Sequence, residues 1–237
     1  MNIKGIIAFI LIFAATVLTA FSDSVEEVKI NEEFKNLDNW EAYEFPKIKE
    51  HSVYTIIDED ILKTESKASA SAIIYRGDFD VYQYPIIEWK WKVDNIIKNG
   101  DAKSKEGDDY SMRIYIAFKY DPEKASFGKR IKYKTAKLLY GDYPPDSSLN
   151  YIWANKNHEE DIIANAYTDQ AQMILLQKGD AHVGMWKTEK VDIVKDYIRA
   201  FGKEPPALAS IIIMNDTDNT KESAVSYMDY IRVYRVK

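Results

Sequence analysis

Hydrophobic and polar residues alternate along much of this chain, and the alternation predicts β-strands. The clearest run is IIEWKWKV, in which charged residues alternate with Ile87, Trp89, Trp91 and Val93. A repeat of two residues is typical of a strand with one buried and one solvated face. We therefore expect one side of this strand to lie in a core.

A second run, SMRIYIAFKY, predicts a strand whose two faces differ less. One face carries Met112, Ile114, Ile116, Phe118 and Tyr120. The other carries Arg113, Tyr115, Ala117 and Lys119. Because the second face is only half polar, we expect it to line a groove rather than to face open solvent.

Strand candidates are spread over the whole chain after residue 22, with turn residues between them. They include HSVYTIID, SAIIYR, LNYIWAN, QMILLQ, ALASIIIM and YMDYIRVYRV. This spacing predicts an all-β fold, a two-sheet antiparallel jelly-roll or concanavalin-like sandwich formed by residues 23–237 as a single domain. A barrel is the alternative. The segment EEFKNLDNW resembles the first strand of sandwich carbohydrate modules, and we expect the closing YMDYIRVYRV beside it.

One short helix is predicted in VDIVKDYIRAFGKEPP. Apolar residues at helical spacing are Val194, Tyr197, Ile198 and Phe201. Gly202 and the two prolines after it provide a stop signal. We expect the apolar stripe to pack on a sheet edge.

Residues 1–22 are typical of a cleaved signal peptide. One Lys precedes an uninterrupted apolar stretch that ends in Ala20-Phe21-Ser22. A retained membrane anchor is the alternative, although the apolar stretch is short for a bilayer span. Cleavage predicts a periplasmic or secreted bacterial protein with no stable membrane insertion.

Composition narrows the classes of function. The chain contains no Cys, which excludes disulfides, a thiol nucleophile and a cysteine zinc site. With Lys4 removed, the 32 basic residues become 31 against 38 acidic ones, a formal net charge of −7. Such a charge disfavours nucleic acid as a partner. The esterase elbow, P-loop and dinucleotide motifs are also missing.

Four segments taken in order resemble the signature blocks of a bacterial family, domain of unknown function 3047. They are GDDYSMRIYIAF, LNYIWAN, VKDYIRAFGKEPP and MNDTDNTKESAVSYMDYI. The resemblance covers most of the chain after the signal segment. It implies an exported sandwich domain and no known activity.

The segment NDTDNT is a candidate ligand or metal site. It places oxygen-bearing side chains of Asp216, Asp218 and Asn219 just after an apolar strand. Asp216 and Asp218 can contribute ligands to calcium, although the full calcium-loop pattern is missing, so we expect either no cofactor or calcium. The alternative is that these side chains cap a turn by accepting backbone hydrogen bonds.

Two further segments carry candidate ligand-binding residues. In GDDYSMR, Asp109 and Arg113 project to one face of a strand and can bind sugar hydroxyls or form a salt bridge with each other. In LNYIWAN, the side chains of Tyr151, Trp153 and Asn155 share a face. This face can stack on sugar rings, or it can belong to the core.

These features favour a binding protein that holds an oligosaccharide, a polysaccharide or a similar polar ligand on a sheet face. The first alternative is a glycan hydrolase or lyase that uses Asp109 with Asp216 or Asp218 as acid and base. The second is a non-catalytic envelope interaction protein. Because sandwiches host many functions, the ligand does not follow from the fold.

Overall fold

The structure, a computed structural model, describes residues 25–123, 125–128, 130–131, 133–134 and 144–237. In chain order the strands are β1 (Glu26–Glu32), β2 (Trp40–Glu44), β3 (Val53–Ile57), β4 (Ile61–Lys67), β5 (Ala70–Tyr75), β6 (Phe79–Asp80), β7 (Ile86–Val93), β8 (Tyr110–Phe118), β9 (Ser147–Ala154), β10 (Ile162–Asn165), β11 (Thr168–Lys178), β12 (Lys187–Asp192), β13 (Leu208–Asp216) and β14 (Ser223–Val236). Helix α1 spans Ile193–Phe201, and residues 127–128, 130–131 and 133–134 are also helical. The predicted signal peptide, residues 1–22, lies outside the described residues.

The strands form two packed sheets, which confirms the predicted sandwich. The small sheet has the order β12-β7-β14-β4-β3, with β1 paired to β14. The large sheet has the order β10-β11-β9-β8-β13-β5-β2, with β6 paired to β13. Of the pairings between described strands, β9 with β11 is parallel and the others are antiparallel, so the predicted antiparallel character holds for all but this one pairing.

Aromatic side chains from both sheets fill the space between them. Trp89 and Trp91 of β7 contact Tyr151 and Trp153 of β9, with ring centroids 5.3 and 5.7 Å apart. The alternation in IIEWKWKV therefore marks a strand with one core face, as predicted. Burial of several large aromatic side chains contributes strongly to the stability of such a core.

The N-terminal strand begins earlier than expected. EEFKNLDNW is mainly the connection between β1 and β2, and β1 itself is the strand that pairs with β14. Phe34 and Trp40 of this connection do anchor the N-terminal region, because their rings stack 5.8 Å apart inside the core.

Helix α1 is capped at both ends. The Asp192 side chain accepts a hydrogen bond from the Lys195 backbone N–H, and Gly202 ends the helix with a φ of 68°. Tyr197 packs against Phe118 in the core, as the apolar spacing predicts. Ile198 is instead exposed, because the helix turns the Asp196 side chain inward to accept a hydrogen bond from the Tyr151 hydroxyl. No helix among the described residues is long and apolar enough to cross a membrane.

Candidate functional site

The outer face of the large sheet, the face turned away from the main core, crosses five strands and is covered at β9, where Asn150 and Ile152 are buried. Because paired residues share a face, two rows of side chains cross this surface. The first row contains Glu41, Ile74, Ile212, Tyr115 and Asn150. The second contains Tyr43, Ala72, Met214, Arg113 and Ile152.

A groove of about 850 Å³ runs over this face. Its floor includes Ala72, Ile74, Ala117 and Ile212, and Tyr43 and Tyr115 add aromatic surface. The prediction that the mixed face of SMRIYIAFKY lines a groove is confirmed, because Tyr115, Ala117 and Lys119 all line it. The groove is therefore an apolar floor with tyrosines, open along its length.

The charged side chains in the groove wall pair with one another. Arg76 contacts Glu41 at 3.4 Å, and Lys119 forms an ion pair with Asp78. All four of these residues line the groove. Their charges cancel, so the groove offers hydrogen-bonding groups without a net charge.

A smaller cavity of about 130 Å³, the acidic pocket, adjoins the groove and shares Phe45 and Met214 with it. The polar side chains that line the acidic pocket are those of Asp108, Arg113, Tyr167, Asp216, Asp218 and Asn219. Four of the eight predicted site residues are therefore brought together here: Arg113, Asp216, Asp218 and Asn219.

Arg113 holds the inner wall of the acidic pocket between two carboxylates. Its Nη1 lies 3.3 Å from Asp108 Oδ1, and its Nη2 donates to Asp216 Oδ2. A register shift between Met214 and Asp216 sets Asp216 beside Tyr110, whose N–H donates to Asp216 Oδ1 at 3.3 Å. The predicted salt bridge from Arg113 to Asp109 is wrong, because β8 begins only at Tyr110 and the preceding loop turns Asp108 toward Arg113 instead.

Asp109 secures the loop that carries Asp218. Its Oδ1 accepts from the Asn219 backbone N–H at 3.2 Å, and its Oδ2 accepts from both the backbone N–H and the hydroxyl of Thr220 at 2.7 Å. The Asp109 side chain is buried. The turn in NDTDNT is therefore capped, but by Asp109 of another segment and not by its own side chains as the alternative interpretation expected.

Asp218 is the most open carboxylate in the acidic pocket. Burial and the charge of neighbouring Asp109 raise the pKa of Asp218 above its usual range. Within the described residues, its carboxylate accepts a hydrogen bond only from its own backbone N–H. Burial also raises the pKa of Asp216, and the charge of Arg113 opposes that shift. A half-buried carboxyl with a raised pKa in a cavity is a common property of functional sites.

The carboxylates of Asp109, Asp216 and Asp218 lie close enough to share a cation, with one oxygen from each within 4.8 Å of the others. A calcium ion needs six to eight oxygen ligands. Asp109 already accepts three hydrogen bonds, and Asp216 is paired with Arg113. A cation at this position would have to displace these hydrogen-bond donors from the carboxylates. The three carboxylates are therefore a poor set of ligands for calcium.

Three predicted ligand residues lie elsewhere. Tyr151 and Trp153 are buried between the sheets, on the opposite face of the large sheet from Arg113. Asn155 is also buried: its Oδ1 accepts from the Ile97 N–H at 2.8 Å and its Nδ2 donates to the Asp109 carbonyl at 2.7 Å. The interpretation of LNYIWAN as a ligand face is therefore corrected to its core alternative.

The sequence reasoning missed several residues that line these cavities, among them Tyr43, Asp108 and Tyr167. Tyr43 shares the outer face of a short strand with Glu41, and one aromatic residue beside one acid is a weak signal. The loop that carries Tyr167 is placed by long-range bonds from the Tyr167 hydroxyl to the Lys105 carbonyl at 3.1 Å and from Asn219 Nδ2 to that hydroxyl at 3.4 Å. No local pattern encodes those bonds.

The fold and the groove together define a jelly-roll-like β-sandwich with an open cleft on the outer face of its large sheet. A profile of the family described as "Protein of unknown function (DUF3047)" matches residues 38–232. The chain belongs to this family, as the four sequence blocks indicated. No curated protein is detectably similar to the chain in sequence.

Several solved structures resemble the chain in overall architecture. A family 11 carbohydrate-binding module of a Clostridium thermocellum cellulase is 12% identical, with 90% of this chain and 95% of the module covered and a TM-score of 0.43. A thermostable cellulase derived from Rhodothermus marinus Cel12A is 9% identical, with 90% and 100% covered and a TM-score of 0.47. A lectin from Bauhinia forficata in complex with GalNAc is 10% identical, with 90% and 99% covered and a TM-score of 0.40. At this distance the likeness concerns the sandwich architecture and not the site.

Proposed function

We propose that this protein binds an uncharged oligosaccharide or polysaccharide in the groove on the outer face of its large sheet. The observation that carries the proposal is the groove itself, about 850 Å³ in volume with tyrosines beside an apolar floor. Binding clefts in proteins have volumes of roughly 300–1,000 Å³ and combine apolar surface with a few polar groups.

The chemistry of the groove fits sugar rings. Sugar rings present apolar C–H faces that pack on aromatic side chains, and Tyr43 and Tyr115 both line the groove. The paired charges of the wall can exchange hydrogen bonds with hydroxyl groups. Because these charges cancel, an uncharged chain suits the groove better than an anionic or cationic one.

Catalysis on a glycan has less support. Glycoside hydrolysis requires two carboxyl groups that both reach the substrate. Asp109 is buried and accepts three hydrogen bonds, and Asp216 is buried against Arg113. Asp218 is the one acid of the predicted set that remains open to a ligand, so binding is the function we propose.

Isothermal titration of residues 23–237 with hydroxyethyl cellulose, arabinoxylan, galactomannan, alginate and chitosan tests the proposal. We expect a neutral polysaccharide to bind and the two charged ones to bind more weakly or not at all. Tyr43→Ala should weaken binding of that polysaccharide about tenfold or more, a loss typical of an aromatic anchor.

Tyr82→Ala is the matched control. Tyr82 is 48% exposed, close to the 44% of Tyr43, and it does not line the groove. We expect this variant to bind as the wild type does. Equal losses in both variants, or no binding of any polysaccharide by the folded wild type, would contradict the proposed function.

A further inference from the structure

The position of the acidic pocket relative to the groove suggests where a bound chain ends. The pocket and the groove share Phe45 and Met214 among their lining residues, so the pocket lies directly beside the groove. At about 130 Å³, the pocket holds little more than one sugar ring. Its small volume and its place beside the groove fit a subsite for a single ring.

Two complementary polar side chains of the pocket keep hydrogen-bonding capacity that the described residues do not use. The Arg113 side chain lines the pocket and is only 5% exposed, yet its Nε–H has no hydrogen-bond partner among the described residues. Asp218 lines the same pocket, and its carboxylate is open to an acceptor role. An unpaired buried donor is costly, and because this Nε has almost no accessible surface, a ligand oxygen satisfies it only with a shift of the Arg113 side chain.

A hydroxyl group matches this pair. A hydroxyl oxygen accepts from a donor such as Nε–H while its proton is donated to an acceptor such as a carboxylate. One hydroxyl, or two on adjacent carbons, can therefore satisfy Arg113 and Asp218 together. A metal ion satisfies only the carboxylate, and an anion satisfies only the guanidinium.

The rim of the pocket adds an aromatic platform. Tyr167 is 57% exposed, and bonds of its hydroxyl to Lys105 and Asn219 hold its ring at the pocket edge. An exposed ring held in place at low entropic cost is a favourable surface for the C–H face of a sugar. The opposite wall is formed by Phe45, Ile48 and Met214.

We propose that the acidic pocket is a subsite for the terminal ring of the glycan, so that the protein recognises chain ends rather than internal stretches. This proposal rests on the proposed function of the groove. Asp218 and Arg113 bind hydroxyl groups of the terminal ring, and Tyr167 packs against its C–H face. Asp109 acts only as a positioning residue, through the loop that carries Asp218.

The test measures both stoichiometry and affinity. Wild-type protein is first titrated with cello-, xylo-, manno- and malto-hexaose. For each hexasaccharide that binds, the protein is then titrated with two size fractions of the polysaccharide built from the same sugar. Recognition of chain ends predicts that binding sites per gram fall in inverse proportion to chain length. Asp218→Ala and Tyr167→Ala should each weaken binding of the hexasaccharide about tenfold. Asp218→Asn, which keeps an acceptor oxygen, should lose less.

Asp180→Ala serves as the control, because Asp180 is an exposed acid that does not line either cavity. Tyr167→Ala keeps the test valid if Asp218→Ala fails to fold. Binding sites per gram that stay constant with chain length, together with full affinity in the folded pocket variants, would overturn the terminal subsite and leave the groove proposal intact. Absence of binding by the wild type to every hexasaccharide and polymer would overturn both.

Discussion

At the level of single residues, the polar side chains of the acidic pocket divide into those that build it and those that face its interior. The side chains of Asp109 and Asn155 form hydrogen bonds within the protein, and Arg113 lies between Asp108 and Asp216. Asp218 lines the pocket with a hydrogen bond from its own backbone N–H, and the buried Nε–H of Arg113 has no partner among the described residues. Residue type alone did not separate these roles, because the same acids and amides serve both.

The role of Asp109 predicts a large effect on stability. Asp109→Ala removes three hydrogen bonds to a buried carboxylate and leaves two backbone N–H groups without that partner, so the free energy of unfolding should fall by roughly 3 kcal/mol. Thr220→Val removes only the hydroxyl bond and should cost about 1 kcal/mol. Urea unfolding measures both. Equal stability of Asp109→Ala and the wild type would contradict the role of Asp109 in securing the loop that carries Asp218.

The raised pKa of Asp218 predicts a pH-dependent stability difference. The folded state holds its Asp218 proton to a higher pH than the unfolded state, so this group makes the folded protein less stable as pH rises from about 4 through the raised pKa. Asp218→Asn removes this loss. The stability of the variant relative to the wild type should therefore increase from pH 4 to pH 7 in thermal melts, and a difference that stays constant over this range would contradict the raised pKa.

At the level of elements, hydrophobic alternation predicted the strands whose buried face is apolar. Strands β7, β8, β9, β13 and β14 all carry that pattern and were found. Strand β4 was missed because its buried face contains Thr64 and Ser66, and Thr64 is accommodated by bonds to Ser226 and Asn215 from distant strands. The same limit applies to LNYIWAN, where alternation defined a common face for Tyr151 and Trp153 but not which side of the sheet it was.

The core position of Trp153 predicts that it affects stability without affecting binding. Trp153→Phe removes the bond from its Nε1 to the Gly179 carbonyl and leaves a small cavity beside Trp91, a cost of about 2 kcal/mol. Urea unfolding measures the loss. Affinity for the polysaccharide that binds the wild type should not change, and a specific loss of affinity in the folded variant would place Trp153 at the ligand.

At the level of the whole molecule, composition and periodicity were sufficient to predict the two-sheet sandwich. The alternating pattern repeats along the chain, and packing two sheets face to face is one of the few ways to bury so many apolar strand faces. The groove was predictable only as a mixed face on one strand. Its extent depends on the side-by-side order of β2, β5, β13, β8 and β9, which are far apart in sequence. The acidic pocket likewise joins residues around 108, 167 and 218.

Calcium gives a prediction for the molecule as a whole. Because Arg113 and backbone donors already occupy Asp216 and Asp109, we expect the melting temperature of residues 23–237 to be the same in excess calcium and in EDTA. A ligand at 100 times its dissociation constant stabilises by about 2.7 kcal/mol, which would shift the melting temperature by several degrees. Such a calcium-dependent rise would assign the three clustered carboxylates to a metal instead.

The central claim is that a neutral glycan binds in the groove on the outer face of the large sheet. Its most direct test is methyl NMR during titration with each of the four neutral hexasaccharides. The groove floor supplies probes in Ala72, Ile74, Ala117, Ile212 and Met214. Val53 on β3 and Ile198 on α1 are exposed apolar residues outside the groove. The account predicts shifts at the groove methyls with Val53 and Ile198 unchanged. Shifts confined to methyls outside the groove, or none for any of the four hexasaccharides, would contradict it.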